Sequence, residues 1–352
     1  MPDLFKKLIK KTSALVALCI ISLTCLTAIF AYQLAPDNTP NANAMIVELA
    51  AKKPGFTKEF LYIPKHKIQE NGSLLSCWFS GTPSSCDELP INAHWQKDNI
   101  LFVEHYIDEG VSDTLHYKLA DLRPLTIKSR TFYLGTDRFG RDILSRLLIG
   151  SRVSIAVGLV AVLLSLTIGI TLGAIAGYYG GIIDSIVMWL INILWAIPTL
   201  LLVFAITLTI GKGFFEIFVA IGLTMWVSAA RLIRGQVLVL REMEYVSAAK
   251  ALGLGNMRII FRHILPNIAG PIMVIAASNF AAAILIEAGL SFLGIGIQPP
   301  QPSWGMMIKE HYNFLLTNRP LLAILPGIAI MLLVYAFNIL GNALRDVLDV
   351  KG

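Results

Sequence analysis

Glu287 stands in an otherwise apolar run, where a carboxylate costs at least about 2.5 kcal/mol on insertion scales unless it faces a partner, water or a cavity. Two readings fit: a residue of a transport route or gate, or a buried hydrogen bond that pins neighbouring helices. No acidic partner is evident in the other apolar runs, which argues against paired-carboxylate hydrolysis inside the membrane. Asn192 and Trp195 could line a polar route, with Pro198 bending their helix, and plain packing explains them as well.

Other chemistries lack their residues. His66, His94, His105 and His116 show no H-E-x-x-H spacing and read as solvated surface residues, so no metal site is expected. No G-x-x-x-x-G-K-[ST] loop occurs, so this chain has no phosphate cradle of that kind and any ATP would bind another chain. Cys77 and Cys86 share a polar segment and are candidates for a disulfide; the spacing equally allows two separate thiols. Asp137, Arg138, Arg141 and Asp142 surround two glycines and read as the anchor of a turn rather than a hydrolytic site.

The segment from Glu242 to His263 is organised differently. Good helix formers run to Gly253, Leu254-Gly255-Asn256 follows, a second short helix is expected through His263, and Pro266 then opens the next apolar run. Such a helix–glycine–helix hairpin between two spans could transmit a partner's displacement to them, with small Ala248 and Ala249 permitting close approach. It could equally be an amphipathic connector whose arginines hold anionic headgroups.

The elements that must position these groups are membrane spans. Hydrophobic residues make up 55% of the 352, charged ones only 15%, well under the roughly 25% of a soluble domain. About 20 apolar residues cross the hydrocarbon, and runs at Thr12–Pro36, Val153–Tyr178, Ser185–Ile210, Phe214–Leu232, Asn267–Leu290 and Leu321–Leu344 predict six helices. The first, behind Lys6, Lys7, Lys10 and Lys11 and containing Cys19 and Cys25, is longer than a cleaved signal's core and is read as retained. The net charge of +6 comes from cations flanking such runs and carries no case for nucleic acid. Arg231, Arg234, Arg241, Lys250, Arg258 and Arg262 put the 231–263 segment in the cytoplasm, and six spans then put both termini there. Residues 1–36 thus form a cytoplasmic N-terminus and first helix, 37–131 a polar periplasmic insertion of mixed structure, and 132–352 a core of five further helices.

Several stretches together resemble the permease subunits of dipeptide, oligopeptide and nickel ABC importers. Ser247-Ala-Ala-x-x-x-Gly253-x9-His263-Ile-Leu-Pro266 is similar to their EAA loop, and Leu134-Gly-Thr-Asp-Arg-Phe-Gly-Arg-Asp142, Glu287-Ala-Gly-Leu-Ser-Phe-Leu-Gly-Ile-Gly296 and Gln298-Pro-Pro-Gln-Pro-Ser-Trp-Gly305 extend the likeness. It covers about 132–349 and is closest in kind to the second permease of such systems, ending near Asn338-Ile-Leu-Gly-Asn-Ala-Leu-Arg-Asp346. The resemblance implies an all-α, type I importer permease fold in the bacterial inner membrane, a second permease, two ATPase subunits that bind the ATP and magnesium, and a periplasmic solute-binding protein. It implies an ATPase-coupling role for 241–266, with Glu244, Ser247, Ala248, Ala249, Gly253, Arg258, His263 and Pro266 as the residues concerned. Ser247 stands where the family usually has Glu, and Glu244 one turn earlier could partly replace it. An ion-driven carrier is the rival, but it has no use for such a hairpin, and no pairing of broken helices between halves is seen.

Overall fold

A computed structural model describes residues 7–65, 74–122, 125–211, 213–317 and 319–349. The apolar runs fold as α1 (Thr12–Ile29), then, after the polar insertion, α3 (Ile143–Tyr179), α4 (Gly181–Trp195), α5 (Thr199–Ile210), α6 (Phe214–Leu240), α8 (Asn256–Phe292) and α10 (Leu321–Asp349). Shorter helices join them, among them α2 (Leu74–Ser80) in the insertion, α7 (Glu244–Ala251), and α9 (Trp304–His311). Among the described residues five helices are long and apolar enough to span a membrane, and the α4–α5 pair makes a sixth crossing if it counts as one.

That pair departs from the straight span expected over Ser185–Ile210. It bends by 92° between Trp195 and Thr199, where Pro198 offers no N–H and disfavours helix for the residue before it. α1 ends at Ile29, short of the expected Pro36, and a separate turn of helix follows over Ala31–Leu34; the other helices run beyond their apolar runs. α3 starts at Ile143 because the Asp142 side chain caps it, accepting from the Ser145 N–H at 2.9 Å. α8 starts at Asn256, since a π turn over Ile260–Ile264 and a 3-10 turn over Leu265–Ile268 carry the helix through Pro266 without a break.

α3 and α6 form the centre of the bundle. Gly169, Gly173 and Gly177 recur every four residues along α3, and a Cβ on them would lie 2.7 Å from the Ala229 Cβ, 2.5 Å from the Ala230 carbonyl oxygen and 2.8 Å from the Arg234 carbonyl oxygen. Backbones can approach this closely only because no side chain intervenes. α8 and α10 pack through the stacked rings of Phe280 and Phe337, 4.0 Å between centroids, and α1 is fastened to α10 by Lys11–Asp346 at 3.0 Å.

Within the insertion, β1 (Phe56–Pro64), β2 (Cys86–Lys97), β3 (Ile100–Asp108), β4 (Val111–Lys118) and β5 (Thr126–Phe132) form one antiparallel sheet in the order β4-β3-β2-β1-β5. Period-two alternation turns Leu101 and Val103 inward with Leu61, Ile91 and Leu122. The sheet is sewn to the start of α3: the Asp37 N–H donates to Ser145 Oγ at 2.8 Å, Lys52 N–H to Thr136 Oγ1 at 2.8 Å, and Ala51 N–H to the Asp137 carbonyl at 2.7 Å. His94 and His116 are exposed, His105 is partly buried with Nε2 3.7 Å from Glu48, and His66 lies outside the described residues.

Candidate functional site

The loop between α6 and α8 is a built elbow. In α7, Val246 and Ala249 point into the core with Ile233, Val237, Ile259 and Ile260, while Glu244, Ser247 and Ala248 face outward. Of the two alanines read as a close-approach surface, then, only Ala248 faces outward; Ala249 packs on the chain's own helices. Gly253 turns the chain at φ +75°, with nothing within 4 Å of the Cβ position. After the turn Arg258 and Pro266 are exposed and His263 is partly buried.

Three contacts root the elbow on α3. Arg241 Nη1 donates to the Gly177 carbonyl at 3.1 Å, Tyr178 OH to Asn256 Oδ1 at 3.0 Å, and the Lys250 ammonium lies 5.4 Å from the Tyr178 ring centroid. A fourth, Asn267 Nδ2 to Tyr245 OH at 3.2 Å, ties α7 to α8. A fixed base of this kind carries an exposed apolar tip: Leu252 is 80% exposed, Phe261 63% and Met257 52%. These three were not singled out in the sequence, although large apolar residues within a basic, water-facing segment are the available signal.

From the elbow, α6 leads to the break in α4–α5. A cavity of about 230 Å³ lies there, with Trp195, Thr199, Thr224, Ser228 and Asn279 among its lining. Its polar groups are joined: Ser228 Oγ approaches Asn279 Oδ1 at 3.5 Å, and Asn279 Nδ2 donates to Ser165 Oγ at 3.3 Å. The Arg231 guanidinium sits 4.1 Å from the Trp195 ring. Asn192 is exposed on α4 and is not part of this lining.

Glu287 lies in neither this cavity nor the larger one near Arg152. It is 1% exposed. Ser291 Oγ donates to its Oε1 at 2.7 Å and itself accepts the Ile297 N–H at 3.2 Å, so the carboxylate pins the turn that follows α8. The bond lies within α8 and carries on to the turn beyond it, so what the geometry shows is a fixed helix end.

A buried charge cluster joins α9, which follows that turn, to the start of α3. Asp137 accepts from the Phe139 and Arg141 N–H groups at 2.8 and 3.0 Å and from Arg141 Nε at 2.6 Å; Arg141 and Arg146 reach Glu310 Oε2 at 2.9 and 3.3 Å. Asp137, Arg141 and Asp142 are thus interior, and Arg138 alone of the four is exposed. Burial pushes the Asp142 carboxyl above its ordinary range, opposed by its hydrogen bonds from Ser145. Asp137, Glu310 and His311 place ligand atoms within 4.8 Å of one another, but the two guanidiniums already neutralise both carboxylates. A dication would meet two positive charges at contact distance, so the cluster is a charge lock and not a metal centre. The partners are 164 and 169 residues apart, too far for spacing to reveal.

The Cys77 and Cys86 sulfurs are not joined. Cys77 sits on α2, whereas Cys86 opens β2 opposite Pro64, its sulfur 3.8 Å from Ser85 Oγ.

Residues 169–351 match the family described as binding-protein-dependent transport system inner membrane component. Over 223 residues the chain is 43% identical to the glutathione transport system permease protein GsiD of Pectobacterium atrosepticum, covering 63% of this chain and 74% of that one. It is 45% identical to the dipeptide transport system permease protein DppC of Alkalihalophilus pseudofirmus and 42% identical to the oligopeptide transport system permease protein OppC of Bacillus subtilis, in each case over 63% of this chain and 73% of the relative. A solved chain of the MetNI methionine ABC transporter in an inward-facing conformation aligns with 57% of this chain and 96% of its own length, at 18% identity and a TM-score of 0.45.

Proposed function

This chain belongs to the family of binding-protein-dependent transport system inner membrane components, and from that premise we propose that it forms half of a peptide pathway driven by separate ATPase subunits. Peptide is the substrate class because the relatives' names concern glutathione, dipeptides and oligopeptides. The partners are a second permease, two ATP-binding-cassette subunits that hold ATP and magnesium, and a periplasmic solute-binding protein; this chain holds no cofactor. The 241–266 loop and both termini face the cytoplasm, and the sheet faces the periplasm.

The observation that carries this reading is the apolar tip on a rigid elbow. Leu252, Met257 and Phe261 are held out by a base bonded to α3 and continuous with α6 and α8. A cleft in an ATPase subunit would bury that tip, and closure of the ATPase pair would move α6 and α8 as levers. Access at the α4–α5 break then alternates, and hydrolysis resets it. Glu244, Ser247 and Arg258 flank the tip as polar contacts, Ala248 permits close approach, and Gly253 shapes the turn.

The test is co-purification of tagged chain from mild detergent, with mass spectrometry of its partners and an ATPase assay, beside a Leu252→Glu/Phe261→Glu variant. Recovery of a second permease and of P-loop subunits, with the latter lost in the variant, is expected. A lone chain without ATPase activity would move the assignment to an ion-driven carrier.

A further inference from the structure

Three arginines near the sheet have carboxylate partners: Arg130 pairs with Glu88, and Arg141 and Arg146 pair with Glu310. Arg152 on α3 is different. Its Nη1 donates to the Phe79 carbonyl at 2.9 Å, and its guanidinium lies 5.2 Å from the Tyr32 ring and 5.5 Å from the Phe79 ring. Its Nε and Nη2, the edge that can fork onto a phosphate, meet no acceptor among the described residues. The group borders a cavity of about 490 Å³, lined also by Tyr32, Phe79, Ile149, Ala156 and Phe214.

Two observations define the occupant. The cavity stands at the level where α1 ends: Phe30 packs on Trp78 at 5.3 Å, and Trp78 Nε1 donates to the Ile29 carbonyl at 3.2 Å. Aromatic residues collected at the end of a span mark the headgroup layer. The cavity's α3 wall, Ile149, Arg152, Val153 and Ala156, also continues at helical spacing into Leu159, Val160 and Leu163, which are 51%, 38% and 57% exposed. A cation at headgroup depth with an apolar track leading away from it matches a molecule that has an anionic head and a hydrocarbon tail. A peptide held by its carboxylate could bond Asn41, Ser80 and Gln301 in the cavity, but beyond it would lay its remaining amides along a track of Leu and Val that offers no hydrogen bonds.

We propose that this cavity binds one anionic phospholipid, its phosphate on the Nε–Nη2 edge of Arg152 and an acyl chain along Leu159, Val160 and Leu163. A lipid seated there fills the space between α1, α2 and the start of α6 and holds the sheet domain at the membrane surface. The assignment stands apart from the transport reading, because lipid retention is measured without ATP.

The experiment is native mass spectrometry of the delipidated complex titrated with phosphatidylglycerol. One tight site is expected, weakened about tenfold by Arg152→Gln through loss of a charge-assisted fork. Weakening to an intermediate degree is expected for Arg152→Lys, which keeps the charge without the fork. Ala156→Trp, which fills the cavity and leaves the arginine in place, should also lose the site. Arg138→Gln, at an exposed arginine near the same end of the bundle, should bind as wild type. Wild-type affinity in both Arg152→Gln and Ala156→Trp would overturn the proposal. Displacement of the lipid by inorganic phosphate or by a dipeptide with a free carboxylate would also do so, by showing a site for a soluble anion.

Discussion

Arg234 forks onto Asp184: Nε donates to Oδ1 at 2.9 Å and Nη2 donates to Oδ2. The pair joins α6, which runs directly into the elbow, to the first turn of α4, the nearer half of the bent pair. Arg231, one turn earlier, sits over Trp195 at the far end of α4. A displacement of the elbow would therefore be passed to both ends of α4. Asp184→Asn should cost about 1 kcal/mol or less in stability, as a partly exposed pair does, yet lower substrate moved per ATP several-fold. Uptake and hydrolysis measured together in proteoliposomes test this, and the swap Asp184→Arg/Arg234→Asp should restore part of the ratio. Equal ratios in wild type and Asp184→Asn would remove the pair from the transmission route.

Gly173 meets α6 backbone, not a movable side chain: its Cβ position is 2.5 Å from the Ala230 carbonyl oxygen. Gly173→Leu should separate α3 from α6 and cost on the order of 3 kcal/mol or more, at or beyond the upper end of overpacking penalties. Gly327→Leu in α10, where nothing lies within 4 Å, is the matched control. Thermal midpoints of the two purified variants give the comparison; similar midpoints would contradict the close packing.

Much of this fold is legible in the sequence because bilayer thickness and hydropathy dictate the spans, and because the elbow is local: Gly253 and its flanking helices lie within one short segment. The α4–α5 bend was half visible in Pro198, but only packing decides between a kink and a 92° break. The glycine spacing on α3 was available and carries its meaning only once α6 is known to lie against it. The Glu287–Ser291 bond is an i,i+4 pair that spacing offers, whereas Arg141–Glu310 and Arg234–Asp184 join distant segments. Such pairings are set by tertiary structure and have no signature in spacing.

Gly253 adopts φ +75° in open space, so a substitution there meets backbone strain and no clash. Gly253→Ala should cost about 1 kcal/mol and Gly253→Asn less, since asparagine enters the left-handed region more readily. If the elbow's shape is what the ATPase subunits read, ATPase co-purification should rank wild type above the asparagine variant and that above the alanine variant. The reverse order would mean that the turn's conformation is not what matters.

His311 is fully buried in the charge lock. Its Nδ1 donates to the Met307 carbonyl at 2.7 Å, and Nε2 faces Asp137 Oδ2 at 4.0 Å. Burial lowers its pKa below the ordinary value, against the upward pull of Asp137 and Glu310, while Arg146 adds to the lowering. The folded chain therefore takes up this proton later than the unfolded chain as pH falls. The neutral ring's contribution is fully present above the ordinary histidine pKa of about 6.5 and is lost as pH drops from there toward the lowered value, with a slope of at most about 1.4 kcal/mol per pH unit. Between about pH 7.5 and 5.5 the thermal midpoint of wild type should fall more steeply than that of His311→Gln, whose amide can keep the Met307 bond without titrating. Carboxylates common to both proteins cancel in that difference. Parallel curves would show that the ring is protonated as readily inside the lock as outside it, and the lock would then have to be described with an imidazolium beside Asp137.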